Sequence, residues 1–215
     1  MTHDALLRAN QAIAANDFQQ AADLLREFGD DPEALLLRGR ALRELSHWTE
    51  SGQAYAKAVE LGAPEQQAKA HTGWGFALLS QGQADQARQA FGKALALDAD
   101  AVDARRGLGM CWLKAGRLGE AEAEIEACLA QAPDDPGALA AQGLLRMRQG
   151  QAGEAERLLQ RAVEIDPHSC LGWANLGFVH RQAGRADQAV DALERAAKLR
   201  PHNALTRNSL ALALR

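Results

Sequence analysis

Residues 136–169 read PGALAAQGLLRMRQGQAGEAERLLQRAVEIDPHS. The stretch opens after Asp135, which suits an N-cap, with Pro136 at the first helical position. Gly150 lies where a left-handed residue ends a helix at low cost. A second segment then places Ala155, Leu159 and Ala162 on one helical face, and Pro167 prevents it from continuing. Two helices joined by a tight turn are therefore expected. The stretch also recurs: Gly143 has counterparts at Gly75, Gly109 and Gly177, and Ala155 at Ala87, Ala121 and Ala189, each set stepping by 34 residues. A fixed period of this size marks stacked helix-turn-helix repeats.

Each repeat can be numbered with its first helix at places 1–14 and its second at places 17–30. The chain then resolves into repeats 2–31, 32–67, 68–101, 102–135, 136–169 and 170–203, with a further helix over 204–215, all as one array. In the sixth repeat Trp173, Leu176, Gly177 and His180 share one face of the first helix. In the second helices place 20 is small and place 24 bulky. Place 24 holds Leu25, Tyr55, Phe91, Ile125, Leu159 and Leu193, which are expected to fill the space between neighbouring repeats. Place 15 holds Asn16, Ser46, Gly82, Gly116, Gly150 and Gly184, with Ser46 the departure. Proline at place 32 (Pro133, Pro167, Pro201) gives way to Ala63 and Ala99 in two repeats. The first repeat is short and ends at Phe28-Gly29, and two extra residues near Gln66-Gln67 precede the third.

Small residues at places 8, 20 and 27, a bulky one at 24 and proline at 32 resemble the tetratricopeptide repeat family, over essentially the whole chain. The resemblance implies an all-α, right-handed superhelical solenoid of antiparallel helix-turn-helix repeats. First helices would line its concave face and second helices its convex face, with places 2, 5, 9, 12 and 13 of the first helices facing the groove. Place 9 holds Asn10, Arg40, Phe76, Met110, Leu144 and Phe178, and place 12 adds Leu79, Leu113 and Met147. An apolar column on an open face marks a binding surface, unless curvature buries part of it. Methionine and phenylalanine suit an adaptable peptide groove.

Charge sorts by helix: the first helices carry a basic excess, mostly at groove-facing places, while the rest of the chain carries the acidic excess. Helix dipoles account for Arg43, Lys114, Arg148 and Arg181, late in their helices, but not for Arg40, Lys69 or Arg106. The expected binding residues are therefore Arg40, Arg43, Lys69, Phe76, Arg106, Met110, Lys114, Leu144, Met147, Phe178 and Arg181. The expected partner is a protein segment combining acidic and apolar residues. Some members of the family grip the acidic tail of heat-shock chaperones with a five-position clamp. Here Asn10 and Lys69 match it, whereas Leu6, Leu37 and Gly73 do not, so that clamp is rejected.

Composition narrows the function classes. Apolar residues make up 47% and aromatics 5%, which favours close-packed helices over a sheet. A net charge of −4 argues against nucleic acid as a partner. No stretch reaches the roughly 18 apolar residues of a membrane span. The first residues, Met-Thr-His-Asp, do not read as a signal peptide. Cys111, Cys128 and Cys170 are odd in number and lack a CxxC spacing, which points to a reducing, cytoplasmic setting without zinc or disulfides. Cys170 is expected to be partly exposed.

The histidines and tryptophans fall at unrelated or packing places, with His71 and His180 core-facing. Glu120, Glu122, Glu124 and Glu126 read as a solvated convex face. No nucleophile, base or metal cluster emerges, so neither an enzyme nor a cofactor is expected. The reading is a non-catalytic protein-interaction scaffold. Alternatives are a secretion- or assembly-type chaperone shielding an apolar client, or an accessory subunit of an enzyme complex. Leu205, Leu210, Leu212 and Leu214 raise self-association through the last helix as a further expectation.

Overall fold

The computed structural model describes residues 2–199 and position 211. Among them it contains twelve helices and no strand. The first helices of the repeats are α1 (Thr2–Ala14), α3 (Pro32–Glu44), α5 (Pro64–Ser80), α7 (Val102–Lys114), α9 (Pro136–Arg148) and α11 (Cys170–Gln182). The second helices are α2 (Phe18–Leu24), α4 (Trp48–Leu61), α6 (Ala84–Leu97), α8 (Leu118–Gln131), α10 (Ala152–Ile165) and α12 (Ala186–Leu199). The helix expected over 204–215, with the self-association read from its leucines, lies outside the described residues apart from Ala211. The chain divides into two compact units, Met1–Ala115 and Gly116–Arg215, and the division falls at the turn between α7 and α8.

Helix starts follow local chemistry. The carboxylates of Asp31 and Asp135 accept from the Ala34 and Ala138 backbone N–H groups at 2.9 and 2.6 Å, each followed by a proline. Asp17 and Ser169 cap α2 and α11 in the same way, without a proline to flag them. One boundary corrects the sequence reading. Helix α5 begins at Pro64, four residues before Ala68, and so absorbs the extra residues into a 17-residue helix. Its start is closed by the Ala63 N–H donating to Gln66 Oε1 at 3.0 Å.

Every turn between the helices of a repeat places a left-handed residue at place 15. Gly82, Gly116, Gly150 and Gly184 have φ of 81°, 74°, 80° and 73°, and Asn16 and Ser46 take 60° and 64°. Ser46 therefore adopts the turn despite its Cβ. Backbone bonds such as His47 N–H to Leu42 O (2.9 Å) and Gln151 N–H to Arg146 O (2.8 Å) close the ends of these helices, which holds Ser46 in place.

In the second and third repeats the bulky residues at place 24 reach between first helices through gaps kept open by glycine. A Cβ at Gly39 would lie 2.9 Å from the Tyr55 ring and one at Gly73 only 2.3 Å. Phe91 is enclosed likewise, with Gly75 and Gly107 at 2.6 and 2.3 Å. An aromatic ring at place 24 thus requires glycine at place 8 of the same repeat and at place 6 of the next. Gly73 stands where the heat-shock clamp would need arginine, and the Tyr55 ring already fills that space. In the C-terminal unit Leu159 and Leu193 press on Gly143 and Gly177, while place 6 holds Ala141 and Asn175. Smaller place-24 residues there leave room for a side chain, as close packing requires.

The C-terminal unit also ties its helices together by charge. Arg146 on α9 lies 2.5 Å from Glu122 on α8 and 3.5 Å from Glu154 on α10, with Glu126 at 4.0 Å. One repeat later His180 Nδ1 lies 3.7 Å from Glu156, which also binds Arg185 at 2.6 Å. The glutamate run is therefore not simply a solvated face: Glu122 reaches forward to place 11 of the next repeat.

Candidate functional site

Seven of the expected binding residues lie in the N-terminal unit. Arg40 and Arg43 are on α3, Lys69 and Phe76 on α5, and Arg106, Met110 and Lys114 on α7. The structure brings two of them, Arg43 and Arg106, together around a third, Phe76. Its ring is half-buried, with the Arg43 guanidinium 5.5 Å and the Arg106 guanidinium 5.1 Å from its centroid. The two cations come from α3 and α7, the first helices that flank α5 in sequence and pack against it. Phe91, buried on α6, meets the Phe76 ring edge-on at 5.0 Å. Such aromatic and cation–π contacts each contribute on the order of 0.5–1.5 kcal/mol. They also fix the orientation of Phe76, and the glycine at 107 that admits Phe91 is thereby part of the site.

Met110 is half-buried and, with Phe76, packs on the core around Phe91. The alternative in which packing buries part of the apolar column is realised at place 12: Leu79 and Leu113 are 4% and 2% exposed, so they are core and offer nothing to a partner. The helical rotation from place 9 to place 12 turns these side chains into the core.

Carboxylates that sequence reasoning does not pair with them moderate the basic residues. Arg43 pairs with Glu44 at 3.2 Å, Lys69 with Glu65 at 2.7 Å, and Arg106 with Asp103. The last two spacings, i,i+4 and i,i+3, are visible signals of helical ion pairs. The Lys69 amine holds the Glu65 carboxyl below its ordinary range by a direct hydrogen bond. Lys114 donates to the Leu79 carbonyl at 2.8 Å, and Arg40 is exposed. The patch thus retains a positive excess. Tyr55 beneath it has its phenol pushed up by burial, opposed by Arg43 and Arg40.

The other four residues lie in the C-terminal unit. Leu144 and Met147 are on α9, both half-buried, and Met147 packs on the core around Leu159. Phe178 and Arg181 are on α11, with the Arg181 guanidinium 5.1 Å from the Phe178 ring. Among the described residues, one cation from the same helix covers the ring, where Phe76 has two from flanking helices.

His71 and His180 are buried as expected, and burial lowers both pKa values; Lys93 adds to this for His71 and Arg185 for His180, while Glu156 opposes it for His180. His71 stacks on Trp74, Trp112 lies under Arg88, and the Trp173 indole donates to Pro167 O at 2.9 Å. Cys170 corrects its expectation: at 7% exposure it is buried, with its thiol 3.4 Å from Ala196 O. Burial pushes the Cys111 thiol up to about 11, far from a reactive thiolate. Among the described residues no group of His, Cys, Asp and Glu is arranged to hold a metal, and no helix is long and apolar enough to cross a membrane.

Comparison with known proteins agrees with this architecture. Two profiles, each described as tetratricopeptide repeat, match residues 78–145 and 146–213 and residues 6–66 and 121–170. No curated protein sequence matches. Among solved structures, the crystal structure of the APC/C hetero-tetramer Cut9–Hcn1 is similar at a TM-score of 0.72 and 21% identity, over 95% of this chain. The chain spans only 39% of that relative's length. TTC0263, a thermophilic TPR protein of Thermus thermophilus, is similar at 0.73 and 17% identity, over 86% of this chain and 99% of its own. At these identities the likeness concerns the fold. The repeat period, the left-handed turns, the glycine-gated place-24 side chains and the matched profiles agree, and the chain belongs to the tetratricopeptide repeat family.

Proposed function

We propose that this protein is a non-catalytic interaction scaffold that holds a segment of another protein against the face of its first helices. The observation that carries the reading is Phe76, a half-exposed ring oriented by Phe91 and bracketed by Arg43 and Arg106. Met110 extends the apolar surface, and Arg40, Lys69 and Lys114 extend the charge. Leu144, Met147, Phe178 and Arg181 offer a second, less basic contact surface in the C-terminal unit. A segment with acidic side chains beside apolar ones complements the N-terminal patch. Tetratricopeptide repeats generally serve as non-catalytic protein-binding scaffolds, which supports the class. Three buried cysteine thiols suit a cytoplasmic setting.

The test is an affinity capture from source-cell extract with wild type beside a Phe76→Glu/Met110→Glu double variant, its helicity checked by circular dichroism. Proteins retained by wild type alone support the reading. Equal capture by both at intact helicity overturns it. Co-expression with a captured protein sharpens the role: a rise in that protein's soluble level marks a chaperone, and no change marks an adaptor.

A further inference from the structure

We infer that Glu44 and Asp103 are built-in competitors for the carboxylates of the partner at the Phe76 patch, an inference that rests on the scaffold reading above. Arg43 and Arg106 are the two cations over the Phe76 ring, and each is already engaged by a carboxylate of its own helix. Glu44 adjoins Arg43 in sequence, and Asp103 precedes Arg106 by one helical turn. Each pair lies within one helix. What the pairs do is occupy guanidinium N–H donors at the place where a partner carboxylate would bind.

Their settings suit exchange. The Asp103 side chain is 64% exposed and can rotate into water. Glu44 lies in the last turn of α3, where the helix dipole disfavours a carboxylate. A guanidinium presents five N–H donors in a planar fork, enough to take a partner carboxylate as the internal one leaves. The fitting ligand is a segment with Asp or Glu spaced to reach both guanidiniums and an apolar side chain between them, against Phe76 and Met110. Apolar segments without carboxylates would leave Arg43 and Arg106 with their internal partners and gain only the ring contact. The two acids therefore raise the threshold that a carboxylate-bearing partner must exceed to bind.

The probe is a fluorescein-labelled ten-residue peptide alternating Asp/Glu with Leu/Phe, with a Lys-for-acid version as control, titrated with the full chain by anisotropy. The acidic peptide is expected to bind and to weaken with salt. Glu44→Gln and Asp103→Asn should each tighten it about two- to fivefold, the range of an exposed ion pair. Adding Arg106→Gln to Asp103→Asn should abolish the gain. Melting by circular dichroism guards against misfolding, and Glu44→Gln removes a carboxylate the dipole disfavours, so that variant keeps the test valid if Asp103→Asn unfolds. Wild-type binding with no tightening in either variant overturns the competitor role and leaves the scaffold reading standing. Preference for the Lys peptide, or binding of neither, overturns the inference too, and the scaffold reading is then decided by the capture experiment.

Discussion

The helices α3 to α7 and the helices α8 to α12 solve the same packing problem in two ways. In the former, Tyr55 and Phe91 fill the space between repeats, and glycine stands on both sides of each ring. In the latter, Ile125, Leu159 and Leu193 are smaller, Ala141 and Asn175 replace the second glycine, and Arg146 with its three glutamates adds an ionic link. The first arrangement carries an aromatic side chain up to the face of the first helices, where Phe91 supports Phe76. The second ends in aliphatic groups and, among the described residues, leaves Phe178 with a single cation of its own helix. One repeat template therefore produces a rigid aromatic and basic patch in one unit and a plainer surface in the other, and the size of one buried residue decides between them.

The largest expected effect comes from exchanging the two solutions. Gly107→Ala drives a Cβ to within 2.3 Å of the Phe91 ring, an overpacking that should cost about 1–3 kcal/mol in urea denaturation. Phe91→Leu in the same chain should recover most of that loss. Conversely, Ile125→Phe should destabilise by a similar amount, and Ala141→Gly should rescue it. Gly107→Ala without measurable loss would break the glycine-gap account.

The ionic link is next. Arg146→Gln leaves Glu122, Glu126 and Glu154 facing one another and should cost on the order of 1 kcal/mol, because all three remain partly exposed. The loss should shrink in high salt, and an unchanged denaturation midpoint would remove the link from the account. Arg146 is itself held more firmly protonated by the hydrogen bond to Glu122, so this contribution does not titrate near neutral pH.

A turn exchange should follow at about 1 kcal/mol or less. Ser46→Gly relieves a left-handed serine at φ 64° and should raise the melting temperature, whereas Gly150→Ser at φ 80° should lower it. Opposite signs are expected from the same chemical exchange made in reverse.

The smallest effect is on pH. His71 in one unit and His180 in the other both have folded pKa values below the ordinary value near 6.5, chiefly through burial. Their contribution to stability is complete above that value and is lost as pH falls toward the folded pKa. Denaturation midpoints at pH 7.5 and 5.5 should therefore fall with acidity. His71→Phe and His180→Phe should each flatten the fall, and the His180 share should be reduced by the nearby Glu156.

The repeat is legible because its signals are local. Gly150, Pro136 and Asp135 act through their own backbone conformations, and the period repeats them until chance is excluded. The site is legible as a set of side chains, not as an arrangement. Place 9 names Phe76 and place 5 names Arg106, but Leu79 and Leu113 read as surface when their helices turn them into the core. Glu65, Asp103 and Glu44 lie within local reach of their cations, yet charge counting by helix does not pair them. Nothing local flags the need for Gly73 and Gly107, since the rings that need them lie on other helices, 18 and 16 residues earlier.

The sequence by itself therefore determined the helix-turn-helix unit, the family and the identity of the residues on the first helices, because capping, left-handed turns and helical periodicity depend on near neighbours. Only the tertiary structure decided that Arg43 and Arg106 meet over one ring, that Phe91 supports it, and that Arg146 gathers three glutamates. Those contacts depend on which helix faces are pressed together and how closely. That distance is set by the volume of a place-24 side chain against the absence of one across from it, a property of two helices at once.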